Sequence, residues 1–105
     1  MGANETETYN FGQVIEFLKG GKAMARLGWN GEKMFIVKQV PQTVAGITIM
    51  SVNSLPESAK ELLRARNIPY LNYNNQMLII NKDGEVNAWL PSSSDIFAHD
   101  WYIVG

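Results

Sequence analysis

Apolar residues recur at Phe11, Val14, Ile15 and Leu18, the i, i+3, i+4, i+7 spacing that lines one face of a helix. Asn10 and Gln13 stand three apart at its start, where a side-chain oxygen and an amide can satisfy each other's backbone N–H groups. Gly20 and Gly21 then predict its end. Two β-like segments, residues 23–27 and 34–40, flank Gly28-Trp29-Asn30-Gly31, whose glycine and asparagine content suits a reversal, so a hairpin ended by Pro41 is expected. Residues 44–52, with Ile47, Ile49 and Val52, predict another strand.

A second helix is expected after Ser54-x-x-Glu57, read as a cap around Pro56. Its apolar face is only Ala59, Leu62, Leu63 and Ala65, and Asn67 with Pro69 closes it, so it reads as an insertion on a β framework. Met77-Leu78-Ile79-Ile80 and residues 86–90 lie either side of Asn81-Lys82-Asp83-Gly84-Glu85, where Asp-Gly between β-rich runs signals a hairpin. The capping side chains of Ser92, Ser93, Ser94 and Asp95 predict one helical turn before Ile96 and Phe97, and residues 101–104 read as a closing strand.

The sum is an α+β fold: a small antiparallel β-sheet with the N-terminal helix packed on it and a short inserted helix. Residues 1–9 are polar, acidic and poor in apolar anchors, so they are expected to form a flexible tail ahead of a single ligand-binding domain over residues 10–105. A chain of 105 residues has material for one core, and so small a core makes subunit packing a reasonable source of further stability.

Composition removes several classes of function. With no cysteine there are no disulfides, thiolate metal sites or cysteine nucleophiles, which suits a reducing compartment. Nine Lys and Arg against ten Asp and Glu make no broad positive surface, so a nucleic acid polymer is not an expected partner. The opening MGANETETYN has no basic region followed by an apolar one, and no apolar run reaches the ~20 residues that span a bilayer, so a cytoplasmic location without membrane attachment is expected.

Catalytic parts are equally scarce. His99 stands beside Asp100 and after three serines, but a triad is defined by geometry and an oxyanion hole, and no G-x-S-x-G elbow supports one. One histidine with scattered carboxylates leaves only a weak Mg²⁺-type site around Asp95 and Asp100, which is discounted, and neither a Walker loop nor a G-x-G-x-x-G fingerprint occurs. No catalytic residue, metal or cofactor is therefore expected.

What the chain does concentrate is aromatic surface where the backbone turns: Trp29, Trp89 and Trp101. Each indole can plug the edge of a small β core, the more so Trp101, or face a cleft. Two indoles facing one cleft would stack on both faces of a purine, with Asn30, Ser94 and Asp95 reading polar edges or ribose hydroxyls. Arg26, three residues before Trp29, is placed either to take phosphate oxygens bidentately or to form an ion pair.

Asn10-Phe11-Gly12, Ala25-Arg26-Leu27-Gly28-Trp29-Asn30-Gly31, Lys82-Asp83-Gly84-Glu85, Trp89-Leu90, residues 92–95 and Asp100-Trp101, in that order, resemble the second type of phage anti-Thoeris proteins. Members of that family are sponges that sequester the cyclic ADP-ribose isomers, glycocyclic ADP-ribose among them, made by bacterial TIR defence enzymes. Some also hold cyclic dinucleotides of the CBASS defence system. The resemblance implies a homotetramer acting in the cytoplasm of the infected bacterial host, with ligand pockets at subunit interfaces. There Trp29 and Trp89 would contact adenine, and polar residues near Ser92 to Asp95 would hold the ribose and phosphate part. The segment 42–75 is longer than the family pattern and Ser93-Ser94 replaces a common Gln-Thr, which bears on ligand selectivity. A signal-degrading enzyme and a small phage structural or protein-interaction module are the competing readings.

Overall fold

The computed structural model describes residues 6–30, 32–45 and 55–105. Helix α1 (Phe11–Lys19) starts as its spacing predicts: Asn10 Oδ1 accepts from Gln13 N at 2.9 Å and Gln13 Oε1 accepts from Asn10 N at 2.9 Å. Gly21, at φ +88°, turns the chain out of the helix, and Lys22 N donates back to the Phe17 carbonyl at 3.0 Å.

The chain then builds β1 (Met24–Arg26), a single 3-10 turn (Leu27–Trp29), β2 (Phe35–Lys38), β3 (Gln42–Ala45), α2 (Glu57–Ala65), β4 (Tyr70–Tyr73), β5 (Met77–Ile80), β6 (Val86–Ala88), α3 (Ser93–Ile96) and β7 (Trp101–Ile103). Five strands form one antiparallel sheet in the order β6-β5-β2-β1-β7. This is the predicted α+β architecture. The contacts divide the chain into two compact units, one made of residues 1–39 and 76–105 and the other of residues 40–75.

In the first unit, directly opposed residues share a face, and the register sets Met24 against Ile36 and Ile103, and Ile36 against Ile79. That face receives Val14 and Leu18 of α1, and with Trp101 they close the core. Complete burial of each aliphatic side chain stabilises by about 1.5–3 kcal/mol. Order begins ahead of α1, since Tyr9 bridges Trp101 in both directions (2.8 and 3.3 Å) and its ring packs edge-on against Phe17.

The Asp-Gly signal yields the β5–β6 hairpin. Gly84 takes φ +84°, and Asn81 Oδ1 accepts from Asp83 N at 2.9 Å and Glu85 N at 3.0 Å. On its other edge β5 pairs with β2 rather than with the preceding strand β4, because residues 40–75 leave and rejoin the sheet where Gln39 N donates to the Gln76 carbonyl at 2.8 Å.

The second unit pairs β3 with β4 and carries α2. β3 begins two residues before the predicted 44–52 strand, and residues 46–54, including Ser54 of the predicted cap, lie outside the described residues. Pro56 occupies the N-cap of α2 without a side-chain hydrogen bond, and Asn67, at φ +54°, ends it. Strand β4 was not expected from the sequence. Ala59, Leu62 and Leu63 of α2, with Leu55, Arg66, Ile68 and Leu71, line a pocket of about 300 Å³ within this unit.

Candidate functional site

The three tryptophan rings meet in one cluster packed on the core of the five-stranded sheet. Trp29 is delivered by the 3-10 turn that follows β1, and Asn30 closes that turn in the left-handed region (φ 54°, ψ 41°), its N–H donating to the Leu27 carbonyl at 3.0 Å. Trp89 follows β6 and stays tied to β5, its N–H donating to the Met77 carbonyl at 2.9 Å. Trp101 opens β7, is wholly buried, and its indole N–H donates to the Asp95 carbonyl at 2.9 Å.

The rings touch edge to face. Their centroids are 6.4 Å apart for Trp29 and Trp89, 5.3 Å for Trp29 and Trp101, and 6.0 Å for Trp89 and Trp101, all at 77–79°. Phe11 of α1 adds a fourth ring, 5.6 Å from Trp101 and 6.4 Å from Trp89. Such pairs contribute about 0.5–1.5 kcal/mol each beyond the area they bury. Planes inclined at 77° leave no parallel-walled slot between Trp29 and Trp89 within one chain. Both remain partly exposed, so each still offers surface to a ligand, whereas Trp101 is their buried support.

Beside the rings, Ser92 caps α3. Its hydroxyl accepts from Asp95 N at 3.1 Å, and Asp95 Oδ2 accepts from the Ser92 N–H and hydroxyl, both at 2.9 Å. The other Asp95 oxygen accepts from Arg26 Nη1 at 2.9 Å. Arg26 Nε donates to Asp100 Oδ1 at 2.8 Å, and Asp100 Oδ2 accepts from Gly28 N at 2.7 Å. These groups are well covered, with 18% of the Arg26 side chain exposed, 12% of Asp95 and 31% of Asp100.

Burial acts to raise the pKa of Asp95, but the hydrogen bonds from Ser92 and Arg26 outweigh it and hold the carboxyl below the usual carboxylate value. At Asp100 burial is likewise overcome, there by Arg26 and the Gly28 N–H. Asp100 is the chief cause of the raised pKa of Arg26, Asp95 adding to it against the cost of burial. All three groups are therefore charged at neutral pH.

Of the residues singled out from the sequence, Arg26, Trp29, Trp89, Ser92 and Asp95 join one network of ring contacts and hydrogen bonds, and Asn30 and Ser94 sit exposed on the same two segments. Arg26 takes the ion-pair alternative of its two readings, with both partners identified. Sequence reasoning missed the role of Asp100, weighed only as a neighbour of His99 and, with Asp95, as a weak cation site, although Asp100-Trp101 already belonged to the motif that carries the family resemblance. It also missed that Phe11 backs the tryptophans. The Asp100 carboxylate is engaged by Arg26 and Gly28, and His99 is exposed. Among the described residues no group of three or more His, Cys, Asp or Glu side chains comes together as a metal site would need, and no helix is long and apolar enough to cross a membrane.

A family model described as the Thoeris anti-defense 2-like domain matches residues 9–104. The chain is also similar to Thoeris anti-defense 2 of Bacillus phage SP01, with 30% identity over 98 residues that cover 90% of this chain and 93% of that protein. The matched stretch begins at Tyr9, the residue that bridges β7.

Proposed function

Because the chain belongs to the Thoeris anti-defense 2-like family, we propose that it is a phage anti-defence sponge: it binds cyclic ADP-ribose isomers made by TIR proteins and withholds them, unconverted, from the defence effector. The observation that carries this reading is the convergence of two partly buried indoles that keep some exposed surface, Trp29 and Trp89, with the polar segments around Asn30 and Ser92 to Asp95, from distant parts of the chain. An adenine stacks on an indole face for about 1–3 kcal/mol, and hydroxyl and amide groups beside it take ribose hydroxyls.

The two indoles of one chain meet edge to face and form no slot of their own, which supports the reading that another copy of the chain supplies the second wall of the pocket. Leu90 and Phe97, 87% and 78% exposed beside Trp89 and α3, supply apolar surface for that assembly, which we read as a homotetramer in the cytoplasm of the infected host. Cyclic dinucleotides of the CBASS system present the same purine and phosphate chemistry and are a second ligand class for the same protein.

Protection by a sponge is mass action: sites must outnumber signal, and Kd must lie well below the concentration that activates the effector. Isothermal calorimetry against cyclic ADP-ribose isomers and cyclic dinucleotides tests the reading. Submicromolar binding of a cyclic ADP-ribose isomer is expected. A protein whose melting temperature and tryptophan fluorescence respond to none of them is instead a structural or protein-binding module, its tryptophans serving as anchors for another chain.

A further inference from the structure

Arg26 is a cation bonded into the site, and its surroundings argue against a phosphate contact. One guanidinium faces two carboxylates, leaving the cluster one charge negative, and negative charge repels phosphate. Nε and Nη1, the two groups through which Arg26 holds its partners, point to carboxylate oxygens. The second oxygen of each carboxylate is committed elsewhere: Asp95 Oδ2 accepts from the Ser92 N–H and hydroxyl, and Asp100 Oδ2 from the Gly28 N–H.

The partners lie on different segments. Gly28 precedes Trp29 in the 3-10 turn, Ser92 and Asp95 frame the helical turn that carries Ser94, and Asp100 introduces β7, with its carbonyl accepting from Leu27 N at 3.0 Å. The approach is too close for a larger residue, since a Cβ on Gly28 would stand 2.9 Å from Asp100 Oδ2 and 3.2 Å from Arg26 Nη2. An Arg fork with two fixed acceptors is a geometric device as much as an electrostatic one.

We propose that Arg26 and Asp100 are positioning residues that clamp the Trp29 turn to the Ser92–Asp95 turn, fixing the spacing between the stacking ring and the polar groups without touching the ligand themselves. This deepens the reading of the site as a cyclic ADP-ribose pocket and rests on it. The clamp and a phosphate contact differ in the sign of one effect. If Arg26 bound phosphate, removing the negative charge of Asp100 would free the guanidinium and strengthen binding. If Arg26 clamps, the same change releases the turn and weakens binding.

The test uses the full chain with Asp100→Asn, Arg26→Gln and Arg26→Lys, titrated calorimetrically with cyclic ADP-ribose and its glycocyclic isomers, alongside near-UV circular dichroism of the ligand-free proteins, which reads the mutual orientation of the three indoles. With far-UV spectra unchanged, Asp100→Asn is expected to alter the near-UV signal and weaken binding on the order of tenfold, the scale on which groups that orient a ligand-contacting residue act. Arg26→Lys, which keeps the charge and loses the fork, is expected to lose as much as Arg26→Gln. Equal or tighter binding by Asp100→Asn, restored binding by Arg26→Lys, or unchanged near-UV spectra would each overturn the clamp. Should Asp100→Asn not fold, the two Arg26 variants carry the comparison. If the unsubstituted protein binds neither cyclic ADP-ribose nor its glycocyclic isomers, the reading of the ligand fails, while the ligand-free spectra still decide the clamp.

Discussion

Replacing Trp101 by Phe isolates what the buried ring does for the site above it. The side chain is wholly buried and its indole N–H donates to the Asp95 carbonyl at 2.9 Å. Phenylalanine removes that donor and strands a buried acceptor, costing about 1–3 kcal/mol. The smaller ring leaves a void where Trp29, Trp89 and Phe11 now pack, adding about 1 kcal/mol for each methyl-sized gap. Together these come to about 2–4 kcal/mol, a large part of the ~5–15 kcal/mol that holds a small domain folded. Urea unfolding followed by far-UV circular dichroism is the assay, at one protein concentration because association between copies makes stability concentration-dependent. The midpoint should fall with the slope unchanged, as for a change in stability alone. A loss below about 0.5 kcal/mol, ordinary for a surface position, would refute the view that Trp101 is the support on which the two partly exposed indoles rest.

Other consequences follow from the same geometry. Trp29→Ala and Trp89→Ala should each weaken binding of a cyclic ADP-ribose isomer by about 1–3 kcal/mol, the range for one stacked base, with a smaller loss of folding stability; equal losses of both would make them core plugs. Gly28→Ala pushes a methyl against the Asp100 carboxylate at 2.9 Å, and should cost about 1–3 kcal/mol of stability as overpacking does; a melting temperature equal to that of the unsubstituted protein would contradict the tight fit. Asp95 and Asp100 titrate below their unfolded value of ~3.9 in the folded chain, so their stabilisation is complete above that value and is lost as pH falls through it toward the lower folded values. Melting temperature should therefore drop as pH goes from about 5 to 3, and drop less steeply in Asp100→Asn; parallel curves would show that Asp100 contributes nothing to the acid response.

How much of this was legible in the sequence depends on how local each determinant is. The capping box at Asn10 and Gln13, the Asp-Gly hairpin and the Ser92 turn are written within a few residues, and each formed as read. Strand β4 was not legible because Tyr70–Tyr73 alternates weakly after a proline and owes its conformation to pairing with Gln42–Ala45, some 30 positions away in sequence. β1 stops at Arg26 rather than at Leu27 because the Asp100 carbonyl and carboxylate capture Leu27 and Gly28 into the 3-10 turn, a constraint from the far end of the chain. The site shows the same division. Its tryptophans were conspicuous as residues, but their edge-to-face contact, and the choice of Arg26 between phosphate and carboxylate, depend on partners 69 and 74 positions distant. No local pattern encodes such a pairing. The presence of Arg26, Gly28 and Asp100 together in the motif that carries the family resemblance was the one available clue.

The claim at the centre of this account is capture without conversion. Saturating the protein with a cyclic ADP-ribose isomer, removing free ligand, denaturing by heat and analysing what is released by liquid chromatography and mass spectrometry tests it directly. The account predicts near-stoichiometric return of the intact cyclic molecule, still able to activate the defence effector. Return of a linearised or hydrolysed product, increasing with incubation time, would contradict it and make the protein an enzyme.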